Sequence, residues 1–546
     1  EGYQLLRGSY SGRFGGLRTS FAAVVDPVPI AVGTWADPDS PQPQSDKADG
    51  AESGGWMVFA EGTETVHLRL AISYLDLDDA RAVRELELPD LGFDARWEEA
   101  KDEWREELGV VRVAGGTESQ RRIFHTAQYH ASLMPSLFYG MDGKYRGLDQ
   151  EIHQVDFDYY TDFSLWDTFR TLHPWYVLVQ PERQLDMVRS LVQMTKDGGA
   201  VPRWPLGHGY TSGMVGTPAD QVFAGSFLKG LDEGWDVDFA FEACFDHAQN
   251  PVAHAGRSGI ASYVNKGYVS FEAASSPASR TLEFVWSDYA LGLWGEALGY
   301  EEEAAILMAQ SGNWRNTWDA EQGFFLGRFA DGTFIENENS FAWTESFVEG
   351  NAYHYQWAVP FDAEGLVEVT SQGDFGAFAE EYEDFWDEVM AEPDDVYPDD
   401  YYWHGNEPDI HYAFLGSMVG LPDQSALASR WVLENRYHDA WEGLDGNDDG
   451  GTLSAWYLFA AMGLFPIAGT PDYVVGSPIF ERIEIDRFDG TIIIKAPGVS
   501  DEAKYVESAQ LGDEALTSPR FTHDQLMEAG ELVLQMSESA GLWQVD

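Results

Sequence analysis

Between residues 118 and 465 the chain reads as about a dozen amphipathic segments, beginning near 118, 164, 182, 219, 237, 281, 301, 340, 375, 409, 424 and 451. Their apolar residues recur with the helical period, and long loops rich in Gly, Trp and Asp separate alternate pairs. A dozen helices in one unit predicts six hairpins closed into a ring, an α/α toroid. Inner helices of such a ring deliver loops to one face, where a funnel-shaped site forms; a less regular helical array is the competing arrangement. Strand patterns flank the helical run. Alternation in Phe21–Val25, Gly55–Phe59 and Val66–Ile72 predicts a β-rich N-terminal part over 1–92, and a charged segment at 93–117 reads as a helical linker whose Trp97 and Trp104 dock. After Pro471, Arg482–Asp486 and Thr491–Lys495 predict a C-terminal β segment over 471–546, packing on the N-terminal one. The expected fold is α+β and multidomain, with the toroid over 118–470.

Charge narrows the setting. There are 93 Asp and Glu against 33 Lys and Arg, a formal charge of −60, spread along the whole chain. The 44% apolar and 14% aromatic content is still enough for a large core, which argues against a disordered acidic tail. The economical reading is adaptation to molar salt, where a Debye length of about 3 Å suppresses self-repulsion. A nucleic-acid partner is excluded, because a phosphate backbone needs a basic footprint. The single Cys244 excludes an intrachain disulfide and a thiolate metal cluster. No stretch reads as a membrane span: Leu453–Gly469 is interrupted by Ser454 and Pro466 and reads as a buried helix. The chain opens at Glu1 without a basic-then-apolar leader and reads as a processed product or a fragment.

Chemistry is expected where carboxylates sit among Trp, Tyr and Asn. In Gly446-Asn447-Asp448-Asp449-Gly450-Gly451 two adjacent acids lie on a glycine-rich loop leading into an apolar helix. The spacing from Asp445 starts like an EF-hand, but its twelfth position is Trp456 where a bidentate Glu is required, so that motif fails. Calcium can still bind through oxygens from separate loops, and His404-Gly405-Asn406-Glu407 supplies such groups, with Asp409 as a helix cap. Glu349 reads as the end of a helical run with Glu345 one turn before it, a spacing that by itself reads as a solvated face. Phe347, Tyr353, Tyr355 and Trp357 form an apolar wall, and a carboxyl against such a wall is kept protonated and suits a general acid. In Asp162-Phe163-Ser164-Leu165-Trp166-Asp167, Asp162 is either a helix cap or a site residue. Asp167 either pairs with Arg170 on a helix surface or accepts bonds from sugar hydroxyls, with Trp166 stacking nearby.

Taken together, Tyr160–Thr168, Glu349–Tyr353, Gly405–Ile410, Gly446–Asp449 with Ser454–Trp456, and Tyr473–Pro478 resemble glycoside hydrolase family 92, the calcium-dependent, inverting exo-α-mannosidases. The likeness runs from about 118 to 490. It implies an α/α toroid joined to a β-sandwich, an α-mannoside glycan as substrate, Ca2+ as cofactor, and an extracellular or cell-surface setting. It puts Glu349 at the general acid and Asp449, with Asp448 or Asn447 beside it, at the base that activates water. Asn406 and Glu407, with Asp449, fall at the metal. Asp167, Trp166, Asp162 and His404 fall around the sugar. The departures are Pro218 and Phe361, where the family often has His, and a shorter N-terminal β portion, so part of the mannose subsite is expected to be missing. A weak or inactive carbohydrate-binding relative is the alternative that this shortening implies.

Overall fold

The computed structural model describes residues 1–89, 92–252, 254–391 and 399–543. The chain divides into two compact units. One comprises Glu1–Arg105, Phe138–Arg146 and Glu151–Asp156; the other comprises Glu106–Leu137, Gly147–Gln150 and Phe157–Asp546.

The first unit is built on the three alternating stretches. Gly2–Leu6, Leu17–Asp26 and His67–Ser73 form an antiparallel sheet in that order, and Ala31–Trp35 pairs with Gln42–Pro43 and Gly54–Val58 in a second. Helix Leu77–Glu87 starts where Asp76 accepts the Asp79 N–H at 2.9 Å and buries Ala80 against the first sheet. Alternation here sends Ala22 and Ala71 inward, while Leu68, Leu70 and Ile72 remain exposed. Helix Phe93–Leu108 occupies the expected linker, but Trp97 and Trp104 stay 57% and 37% exposed where docking was expected.

In the second unit, helices buried on all sides alternate with helices buried along one stripe. Leu172–Val179, Tyr412–Met418 and Thr452–Met462 are buried at every position. The helix that follows the first of them, Pro181–Gly198, keeps a polar face in solvent, and Pro422–Asn435 is likewise buried along one side. Pro277–Leu298, 22 residues long, packs against Ala219–Leu228 and returns along Glu301–Ser311. A six-stranded sheet follows the helices, in the order Glu514–Leu516, Tyr505–Leu511, Glu531–Ser537, Gly490–Lys495, Arg482–Arg487, Val111–Ala114. The last of these precedes the helical run, so Ile485 lies opposite Val111 and the two ends of this unit are stitched together. The expected buried helix after Leu453 is present but stops at Met462; Leu464–Pro466 turns into a strand.

One expected helix is absent. Residues 336–359 form turns, and the run that was to end at Glu349 does not exist. Side chains there offer the backbone local alternatives: Asn339 Oδ1 accepts the Phe341 N–H at 3.1 Å and Thr344 Oγ1 accepts the Ser346 N–H at 3.4 Å. Among the described residues, no helix is long and apolar enough to cross a membrane.

Candidate active site

The predicted segments converge within the second unit because glycines let their backbones touch. A Cβ on Gly405 would lie 2.5 Å from the Asp445 carbonyl oxygen, and one on Gly446 would lie 2.7 Å from that of Gly405. Asn406 then donates its Nδ2 to the Glu349 carbonyl at 2.5 Å, which ties the third loop to the first two. Downstream, Asp449, Gly450 and Gly451 are all left-handed, with φ of 47°, 70° and 97°. A Cβ on Gly451 would meet Ala131 Cα at 3.0 Å. Asp162 and Glu349 share this backbone region, at φ 60° and 49°. Left-handed non-glycine residues cost energy and persist where the surroundings hold them, a pattern that concentrates at functional sites.

Carboxylate oxygens of Asp167, Glu407 and Asp449 lie within 4.8 Å of one another. Asp167 and Glu407 are buried, and Asp449 is half-buried. Asp167 accepts the hydroxyl of Ser164. Neither Glu407 oxygen meets a donor. Its close neighbour Asp449 is another carboxylate, so the approach is satisfied only by a shared proton or a cation. Burial, then the charges of Asp167 and Asp449, hold Glu407 well above the usual carboxylate range. Asp167 is raised the same way, by burial and then by Asp449. Asp449 is pushed up to about 6, chiefly by burial. Glu349 is the solvent-reaching member, and partial desolvation raises its carboxyl as well. Its loop is fixed by the Tyr355 hydroxyl, which donates to the Val348 carbonyl at 2.7 Å, and by Phe347 stacked on Tyr355 at 4.9 Å.

Three carboxylates with an orphaned buried pair of oxygens fit a hard cation. The set holds no imidazole or thiolate, so it suits calcium better than zinc. It contains Asp167, which the sequence reading set against sugar hydroxyls. The Asn406 amide nitrogen is used on the Glu349 carbonyl, and its Oδ1 is the atom that would serve a hard cation.

Other predicted residues fall elsewhere. Asp448 is tied down: Oδ1 accepts the Ser454 N–H at 2.9 Å and Oδ2 the Ser454 hydroxyl at 2.8 Å, anchoring the start of helix Thr452–Met462. Asp162 Oδ1 accepts the Gly207 N–H at 3.0 Å and caps no helix. Asp409 likewise caps nothing and accepts the Trp403 N–H at 2.9 Å. Trp166, expected to stack on a sugar, is fully buried with its indole N–H on Glu283 at 3.0 Å. His404 is also fully enclosed, with one ring nitrogen 2.6 Å from the Tyr402 hydroxyl and the other 2.7 Å from that of Tyr437. Trp357 is packed among Phe378, Tyr382 and Phe385, away from the wall expected beside Glu349.

Sequence reasoning missed Glu283. It accepts Arg170 Nη2 at 2.7 Å, so the guanidinium nearest the acid cluster is already neutralised, and Arg170 does not pair with Asp167. A Glu set between Leu282 and Phe284 in the apolar helix Pro277–Leu298 was the available signal.

Residues 79–538 match the Glycosyl hydrolase family 92 catalytic domain. A protein of Arthroderma benhamiae described as an uncharacterized secreted glycosidase is 25% identical over 539 residues, which is 90% of this chain. The chain spans 64% of that relative's length. Among solved structures, a family GH92 alpha-mannosidase from Bacteroides thetaiotaomicron superposes with a TM-score of 0.88 at 27% identity, covering 99% of this chain and 73% of its own. A family GH92 inverting mannosidase from the same organism gives 0.86 at 26% identity, over 96% and 73%.

Proposed function

The chain belongs to glycosyl hydrolase family 92, and from that premise we propose that it hydrolyses terminal α-mannosidic linkages with inversion of configuration, assisted by calcium and adapted to high salt. The observation that carries this reading is the group Asp167–Glu407–Asp449, three clustered carboxylates without a dedicated counter-charge, with Glu349 near enough to raise Asp449 further. The similarity to solved mannosidases supports the substrate class. The alternation of enclosed and half-exposed helices supports the expected α/α ring, with the site on its loop face.

Glu349 holds a proton at its raised carboxyl and gives it to the glycosidic oxygen as the C1–O bond breaks. Asp449 takes a proton from water as the water oxygen bonds C1 from the opposite face, which inverts the anomeric centre. A base at about 6 is ionised at neutral pH yet basic enough to accept that proton. Asp448, bound twice by Ser454, positions the loop that carries Asp449. Asp167, Glu407 and Asp449 would hold the calcium ion, whose chemistry when bound is to set positive charge against the sugar hydroxyls. Salt adaptation is supported by the formal charge of −60. The test of stereochemistry is proton NMR of an aryl α-mannoside digest in molar salt with calcium. β-Mannose is expected as the first product, and α-mannose appearing first would overturn the single-displacement mechanism.

A further inference from the structure

The loop between Asn435 and Gly446 holds a cavity of about 200 Å3 that the chemistry above does not use. Ile123 and Ala127, from helix Glu118–Ala131, and Leu444 give it an apolar floor, while His130 and the ring of Tyr437 form its sides. Trp441 stands at its rim, 101% exposed. An indole left wholly in water on an unstructured tip would carry no information, but this tip is pinned. The His438 N–H donates to the Gly443 carbonyl at 3.0 Å, and a Cβ on Gly443 would lie 2.3 Å from the His438 carbonyl oxygen. Asp439 is paired with Arg122, and Arg436 reaches Asp399 at 3.1 Å and Asp445 at 3.7 Å.

We propose that this cavity is an accessory subsite for a neutral hexopyranosyl residue of the glycan, with Trp441 as its stacking platform. The proposal rests on the mannosidase reading for its choice of sugar. Size comes first: the cavity is smaller than the roughly 300–1,000 Å3 that enclose drug-sized ligands, and it suits a single ring. The lining includes no Lys or Arg, so an anion has no partner there; of its two acids Asp439 is paired with Arg122, and Glu442 lies beside Trp441 at the exposed tip. An exposed aromatic face on a pinned loop, beside hydroxyl and imidazole groups, matches a pyranose, which has an apolar C–H face and a polar edge. Continuity with the catalytic loop is the final argument. His130 Nδ1 lies 3.7 Å from Asp448 Oδ2, and Ser454, which also lines the cavity, donates to that same carboxylate at 2.8 Å. A glycan with one residue at Glu349 and Asp449 therefore has this cavity next to the loop it already engages.

The test is titration of a linear α-mannotriose by calorimetry in the Glu349→Gln background, which keeps the ligand intact. Trp441→Ala should weaken binding about three- to tenfold, the range expected for loss of one aromatic contact. Thr126→Arg, an exposed position on the rim that an arginine would fill, should weaken it comparably. Unchanged affinity in both variants overturns the subsite. Hydrolysis of an aryl α-mannoside by the unmodified chain is measured in parallel. Its absence counts against the mannosidase reading, whereas trisaccharide binding that depends on Trp441 upholds the subsite whether or not turnover is seen.

Discussion

The helical unit buries two groups of acids, and they are handled in opposite ways. Around Arg257, Asp288 and Asp220 accept the guanidinium at 2.5 and 3.2 Å, and Tyr263 and Thr217 supply hydroxyls. All three charged side chains are essentially inaccessible, and their compensation is built into the chain. Asp167, Glu407 and Asp449 are gathered just as tightly, but the nearest guanidinium, Arg170, is committed to Glu283. The first group carries its own counter-charge, one guanidinium set between two carboxylates, and leaves Asp220 Oδ1 without a hydrogen-bond partner. The second needs protons or a cation, and a deficit of that kind marks it as the candidate site.

The largest effects should come from the incomplete group. Glu349→Gln and Asp449→Asn are each expected to lower kcat by about 10^2–10^4-fold, the usual worth of a positioned general acid or base. Their unfolding midpoints in chelator should be unchanged or raised, since Asp449→Asn removes one of three repelling charges. A loss of turnover matched by a loss of midpoint would erase the contrast between the groups. Arg257→Ala should do the reverse, costing about 3–5 kcal/mol by leaving Asp220 and Asp288 buried without a partner. Urea unfolding of that variant measures it, and a midpoint near that of the parent would show that the network is dispensable.

Cation linkage sharpens the comparison. Calcium at 100 times its Kd should stabilise the chain by about 2.7 kcal/mol, and Glu407→Gln should remove that gain while raising stability in chelator. The sign with pH follows from Asp449, raised from 3.8 to about 6. A raised carboxyl favours the folded state when protonated, so this contribution is full below about pH 4 and is lost as pH climbs through 6. Calcium competes with those protons, and its thermal shift should therefore grow between pH 5 and pH 8. A shift that shrinks over that range would place the ion elsewhere. The smallest effect is expected from Asp448→Asn. Its carboxylate positions the loop through Ser454, so the variant should lose less kcat than Asp449→Asn, as steady-state rates on an aryl α-mannoside will show.

Much of this arrangement was legible in the residues because regular elements announce themselves by period. The strands around Phe21, Met57 and Ile72 and most helix starts follow from alternation and the helical repeat. The acids of the site were legible too, as carboxylates in aromatic and glycine-rich loops. Their partners were not. Nothing local distinguishes Asp167 as a neighbour of Glu407, 240 positions away in the chain, because the meeting depends on backbone contact at Gly405 and Gly446. Trp166 and His404 have the right chemistry to touch a sugar, but burial decides their role, and burial is set by neighbours distant in sequence. The helix expected before Glu349 failed for a local reason: Asn339 and Thr344 offer hydrogen bonds that compete with the helical ones.

If the uncompensated carboxylates form a calcium-assisted mannoside-cleaving site, turnover must depend on the ion. The most direct test is mannose release from an aryl α-mannoside in molar salt, first with calcium and then with excess chelator. The account predicts turnover that chelator abolishes and added calcium restores. Release at the same rate in chelator, or none in either condition, would contradict it.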